Sequence, residues 1–145
     1  MEKRIRRTCQ SKQLRNQLLT TTFCGLKWSK TMTEQTAFNI VKNHLLTQMT
    51  KSMEGEQCLY RGPNGTKCAI GALITDEEYK EIAEHSHEFW AIYDLMVFQT
   101  ENLQSLQGLD LTFLEDLQII HDQGEIQDWK NQLEVFAKKY NLQYE

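Results

Sequence analysis

A single proline in 145 residues, Pro63, is the feature that most limits what this chain can become. Average usage of about 5% would give roughly seven. Proline removes a backbone donor and clashes with the preceding turn, so a chain almost free of it has few obligatory helix stops and is expected to be mostly helical. The proline itself sits in Gly62-Pro63-Asn64-Gly65, between Cys58-Leu59-Tyr60-Arg61 and Thr66-Lys67-Cys68-Ala69-Ile70. Proline presets the first central position of a turn, asparagine suits the second, and Gly65 can take a left-handed conformation. The tetrapeptide therefore predicts the tip of a bulged type I hairpin. That register sets Arg61 opposite Lys67 and Tyr60 opposite Cys68, with Cys58 and Cys68 diagonal on one face. Diagonal neighbours lie roughly 7–8 Å apart, wider than the about 5.5–6 Å Cα spacing of a disulfide, so the two thiols read as packed beside Tyr60 and unbridged.

Elsewhere apolar residues recur at helical spacing. Phe38, Val41, Leu45 and Met49, widened by Ala37 and Ile40, predict a helix from about Thr33 to Thr50. Thr75-Asp76-Glu77-Glu78 has the spacing of a capping box that opens a helix toward Ala83. Ser86 caps a third candidate running to Gln99, and Asp110 a fourth that Gly124 ends. A last stripe joins Ile126, Trp129, Leu133, Phe136 and Tyr140. Each stripe is too wide to stand alone, so the helices must bury one another. The expected fold is α+β and predominantly α-helical, with four or five helices packed around one short β-hairpin. Its expected core holds Phe38, Val41, Leu45, Leu73, Leu117, Ile120, Trp129 and Leu133.

Composition narrows the class. With 40% hydrophobic and 25% charged residues the chain can fill one core and not two. A mean hydropathy of −0.58 excludes a membrane protein, and three Trp, five Tyr and six Phe exclude an aromatic-poor disordered chain. The net charge of −4 hides a split: residues 1–31 carry eight basic side chains against Glu2 alone, a net of +7, which leaves −11 for the rest. The chain thus divides into a basic extension, 1–31, and a single globular domain, 32–145. Met32 directly precedes the first helix start and could be the true start of translation. The extension otherwise reads as a disordered segment, an arm that binds nucleic acid by counterion release, or a targeting leader. No secretory apolar core follows the leading charges and no run approaches a membrane span. The expected compartment is the cytoplasm, without membrane contact, where Cys9, Cys24, Cys58 and Cys68 stay reduced.

Several segments together resemble a family of uncharacterised small bacterial and phage proteins. They are His44-Leu45-Leu46-Thr47-Gln48, Cys58-Leu59-Tyr60-Arg61 with Gly65, Lys67-Cys68-Ala69-Ile70-Gly71, and Leu73-Ile74-Thr75-Asp76-Glu77-Glu78-Tyr79. The last is Leu117-Gln118-Ile119-Ile120-His121-Asp122, followed by Trp129. The resemblance spans roughly residues 33–142 and omits the basic extension. Members often carry Pro where this chain has Thr75, and either residue suits a helix start. The resemblance brings no activity with it. A phage setting implies an inhibitor or accessory factor that acts on a host protein.

The chemistry-bearing residues allow other readings. A small hydrolase or transferase would use Cys68 as nucleophile with His44 or His121 as base. Adjacent helical positions point about 100° apart, so Asp122 is not expected to orient His121. A cysteine in an apolar run is more often a small buried hydrophobe. Zinc would need Cys58, Cys68, His85 and His87, but no Cys-x2-Cys pair is present, so no metal and no cofactor is expected. Arg61 and Lys67, with Tyr60 beside them, form a candidate binding patch for a phosphate or a partner carboxylate. The same pair could be neutralised internally by Glu54, Glu56 or Asp76.

The extension offers only scattered Ile5, Leu14, Leu18, Leu19, Phe23 and Trp28 for burial. A chain starting at Met32 should therefore melt within about 4 °C of the full chain, the shift expected for roughly 1 kcal/mol. A larger drop in a calorimetric melt would make the extension part of the fold.

Overall fold

The computed structural model describes residues 31–85 and 103–145. Helix α1 (Glu34–Gln48) begins where the sequence predicts, with Thr33 in extended backbone and its Oγ1 accepting the Thr36 N–H at 3.2 Å. It buries Ala37, Phe38, Val41 and Leu45 on one face. Met49 ends it in the left-handed region at φ 47°, with its N–H closing on the Leu45 carbonyl.

The ladder among the described residues lies one step earlier than the turn tetrapeptide. Strand β1 (Met53–Glu54) pairs antiparallel with β2 (Gln57–Cys58), Met53 facing Cys58 and Glu54 facing Gln57. Gly55, at φ 61°, makes the tight turn between them. Around Pro63 the expected strands reduce to one bridge, Arg61 opposite Lys67, with the Gly62 N–H on the Thr66 carbonyl at 2.8 Å. Asn64 joins Gly65 in the left-handed region, at φ 58° and 75°. The returning strand stops short because of Cys68. Its sulfur accepts the Gly71 N–H at 3.3 Å and caps helix α2 (Ala69–Leu73), so the chain turns helical where a strand would have to continue.

Thr75 and Glu78 form the predicted capping box of α3 (Asp76–His85). The Glu78 N–H lies 3.2 Å from Thr75 Oγ1, and the Thr75 N–H 2.8 Å from Glu78 Oε2. Glu78 also accepts from the Ser105 amide at 2.8 Å and its hydroxyl at 2.6 Å, which ties α3 to the turn Gln104–Leu106. Partial burial works against the charge, but these donors hold the Glu78 carboxyl below its ordinary value. Asp110 caps α4 (Leu111–Gln123) through the Thr112 and Phe113 N–H groups, and Gly124 ends it. A single turn, Ile126–Asp128, leads into α5 (Trp129–Lys139).

Helix α1 packs on α2, α4 and α5, and α4 packs on α2 and α5. All eight expected core residues are buried in one cluster. Phe38 stacks on Phe136 with centroids 5.7 Å apart, and Phe113 meets Phe136 edge-on at 5.2 Å. The architecture is a mostly helical α+β fold with, among the described residues, one two-stranded hairpin. The helix expected from Ser86 to Gln99 lies outside the described residues. No described helix is long and apolar enough to cross a membrane.

Gly71 carries the closest approach in the core, because a Cβ there would run into the Tyr60 carbonyl. Gly71→Ala must push α2 off the Tyr60–Arg61 segment, at the about 1–3 kcal/mol typical of overpacking. Urea denaturation should show that loss, and an unchanged midpoint would contradict the packing described.

Candidate functional site

Three sequence-distant segments converge on His121: the Ser52–Cys58 hairpin, the start of α2 and the last turns of α4. The imidazole is 0% exposed and stacks on Trp129, with centroids 5.8 Å apart. Its Nε2 accepts the main-chain N–H of Ser52 at 3.0 Å. An acceptor nitrogen carries no proton, so the neutral ring bears its hydrogen on Nδ1. That hydrogen is donated to Asp122 Oδ1 at 2.8 Å, with Cys58 Sγ 3.6 Å from the same nitrogen. Gln118 completes the cluster. Its Oε1 accepts the Ile70 N–H at 3.1 Å, which fixes the amide orientation. The Gln118 NH₂ then donates to Asp122 Oδ1 at 2.8 Å and to Cys58 Sγ at 3.2 Å.

The titration behaviour follows from these contacts. The Cys68 thiol alongside, and then burial, push the Cys58 thiol far above its ordinary value, against an opposing pull from His121. Burial would raise Asp122, but donation from His121, Cys58 and Gln118 holds its carboxyl below the ordinary 3.8. Burial lowers His121, and the Asp122 carboxylate with Cys58 more than offsets it, so the imidazole's proton affinity is raised. A proton added at Nε2 would nevertheless point at the Ser52 N–H. Charging His121 therefore requires that amide contact to break.

This arrangement does not generate a thiolate. A relay sets nucleophile and carboxylate on opposite ring nitrogens, whereas Cys58 and Asp122 crowd the same Nδ1 and the free lone pair is occupied by a main-chain amide. The Cys58, His121 and Asp122 ligand atoms lie within 4.8 Å of one another, a set suited to a borderline cation. The Nδ1 hydrogen and the Gln118 NH₂ point into that space, so an ion would have to displace them all. The donors and acceptors match one another better than they match a metal.

The residues singled out in the sequence are distributed differently from expectation. The thiol beside His121 is that of Cys58, while Cys68 uses its sulfur on the Gly71 N–H. His44 lies elsewhere, with Nε2 3.0 Å from the Lys67 carbonyl oxygen. The expectation that Asp122 could not orient His121 is corrected. The angle between neighbouring helical positions describes the Cα–Cβ directions, and a carboxylate oxygen two bonds further out reaches back to Nδ1. Of the four-residue zinc set, Cys58 and Cys68 adjoin, whereas His87 and the side chain of His85 lie outside the described residues.

Arg61 and Lys67 share a face, and both pair with the one carboxylate of Asp76. Arg61 Nη2 lies 2.8 Å from the Ile74 carbonyl oxygen and 2.9 Å from Asp76 Oδ1, with Lys67 Nζ at 3.9 Å from the same carboxylate oxygen. The Arg61 side chain is only 14% exposed and lies over the Tyr79 ring, while Tyr60 is partly buried against the core. Nothing in the residues around Ser52 marks it as a partner of His121. For Gln118 a signal was present, a polar residue interrupting the buried stripe of α4. Comparison with family models, curated proteins and solved structures finds no match for this chain.

His121→Ala leaves the Ser52 N–H unpaired and opens a hole beside Trp129, so a loss of about 3 kcal/mol is expected in chemical denaturation. A depressed carboxylate contributes stability that is complete above its unfolded value and is lost as pH falls through the lowered folded value. Denaturation midpoints should accordingly drop as pH descends below about 4. Asp122→Asn should flatten that acid limb, and an unchanged slope would remove Asp122 from the network.

Proposed function

We propose that this chain is a non-enzymatic binding protein that acts as an inhibitor or accessory factor on a protein of its host. The observation that carries this reading is the closed hydrogen-bond inventory around His121. Its lone pair is taken by Ser52, its N–H by Asp122, and the neighbouring thiol is held neutral. The residues that could have supplied a nucleophile and a base are occupied with one another. This weighs against the hydrolase or transferase reading built on Cys68 with His44 or His121.

Charge supports the same conclusion. Residues 32–145 carry the −11 that offsets the basic extension. The acids concentrate on α3, with five against Lys80, and on α4, with Glu115, Asp116 and Asp122 and no lysine or arginine. Such a field steers a basic partner and raises its association rate more than its intrinsic affinity. Cytoplasmic work suits the free thiols Cys58 and Cys68. The nucleic-acid reading rests on the basic extension alone.

Tagged full-length chain, incubated with host lysate at moderate salt, should retain one stoichiometric protein that elutes as salt is raised. Recovery of no such partner would count against binding as the function. Turnover of a thiol-protease or transferase substrate that Cys58→Ala abolishes would favour the enzymatic alternative.

A further inference from the structure

The hairpin that carries Ser52 and Cys58 is bonded mainly to itself and to the turn beside it. Strands β1 and β2 pair with each other, and the Leu59 N–H meets the Ser52 carbonyl at 2.9 Å. Ser52 Oγ lies 2.7 Å from the Leu59 carbonyl oxygen and 3.3 Å from that of Thr66. None of these bonds reaches a helix. The tip adds little burial, since Glu54, Gly55, Glu56 and Gln57 are all exposed. A segment with few apolar contacts opens at a lower free energy than the core beneath it. Its hold on α4 is therefore polar. The Ser52 N–H sits on His121 Nε2 at 3.0 Å, Cys58 Sγ lies 3.2 Å from Gln118 Nε2, and Lys51 Nζ donates to the Asp122 main-chain oxygen at 3.1 Å.

The Ser52 bond differs from the others in that it requires an unprotonated nitrogen. A proton on Nε2 would set two N–H groups against each other at 3.0 Å inside the core, and one of them would have to give way. The ring is fixed. It stacks on Trp129, and its Nδ1 hydrogen is held by Asp122 at 2.8 Å. Ser52 is the partner with room to move, because its segment is anchored by hydrogen bonds and carries an exposed tip.

The charged and titratable groups around the ring favour uptake of that proton. Helix α4 presents the Asp122 carboxylate, the hairpin presents Cys58 with Lys51 beyond it on the Asp122 carbonyl, and Cys68 at the start of α2 adjoins Cys58. From α5 the ring meets the uncharged indole of Trp129. Burial lowers the proton affinity of His121, and Asp122 with Cys58 more than offsets it. Asp122 itself is held below 3.8, so as pH falls from neutrality the imidazole takes up a proton before the carboxylate does.

We propose that the Ser52 end of the hairpin is a proton-operated fastening, in which uptake of one proton at His121 Nε2 drives the Ser52 main chain off α4 and opens the base of the hairpin to solvent. The fastened form binds no proton at Nε2 and the opened form binds one. Opening is thus favoured about tenfold more for each pH unit below the midpoint of the opened ring. The device is independent of whether the chain binds a host protein.

The test follows nitrogen-15-labelled full-length chain by NMR from about pH 7.5 to about pH 5.5. Imidazole nitrogen shifts should show His121 Nε2 gaining the proton. Protection of the Ser52 amide against hydrogen exchange should fall about tenfold per pH unit below that midpoint, while the buried Val41 amide in α1 keeps its protection. His121→Gln retains an oxygen that can accept from Ser52 and cannot be charged, so in that variant Ser52 protection should be the same at both ends of the range. Should His121→Gln fail to fold, the wild type decides, and a shared midpoint for His121 charging and Ser52 exposure supports the fastening. A ring that stays neutral throughout, Ser52 protection that holds constant while His121 charges, a loss matched at Val41, or a loss undiminished in His121→Gln would each overturn it.

Discussion

The donation from the Ser52 main chain to His121 Nε2 is the contact on which the arrangement of the rest turns. Ser52 is fully buried, and its N–H has no strand partner because the ladder begins one residue later, at Met53. An unpaired buried amide costs about 1–3 kcal/mol, so some acceptor has to be brought to it. The acceptor comes from α4, sixty-nine residues away. Once Nε2 is committed, the proton must sit on Nδ1, that proton selects Asp122, and Asp122 with the Ile70 amide fixes which way Gln118 points. One main-chain donor thus decides a tautomer, a carboxylate partner and an amide orientation. The hairpin and α2 are held to α4 by the result.

A second constraint acts at Cys68, which converts an extended segment into a helix within one residue. Its sulfur serves as an N-cap, a weaker acceptor than the hydroxyl or carboxylate usual there, but one that can also be buried at little cost. Gly71 then allows α2 to lie against the Tyr60 carbonyl. The two features work together, since a cap alone would start the helix without letting it settle against the preceding chain. Arg61, held by the Ile74 carbonyl and Asp76 at the far end of α2, closes the same loop from the other side.

What could be read from the sequence was local. Thr33, the Thr75–Glu78 box and Asp110 announce their helices within four residues, and the 3.6-residue stripes name the core, because cap and periodicity are written in adjacent positions. The hairpin was misplaced for the complementary reason. Two-residue strands such as Met53–Glu54 and Gln57–Cys58 are too short to show alternation, and Gly55-Glu56 is a weaker turn signal than a proline and two glycines around an asparagine. The turn at Pro63 was real. The expected pairing of Arg61 with Lys67 is present, and the strands on either side of it are cut short by the Cys68 cap. The cluster around His121 was invisible in its pairing, because contacts between residues 52, 58, 70, 118 and 121 depend on the helix packing and leave no spacing rule behind.

Residue types alone therefore overstate the chemistry of this site. Cysteine, histidine and aspartate within hydrogen-bond reach, all with displaced proton affinities, meet the usual description of an active centre. The direction of each hydrogen bond reverses that reading. A general base needs a lone pair facing the nucleophile, and here the nitrogen facing the thiol carries the proton while the lone pair faces a main-chain N–H. Making Nδ1 basic would require moving the proton to Nε2, which places two N–H groups nose to nose inside the core. The energy of that clash, not the identity of the three side chains, holds the proton on Nδ1, and in that tautomer the three side chains tie the hairpin to α4.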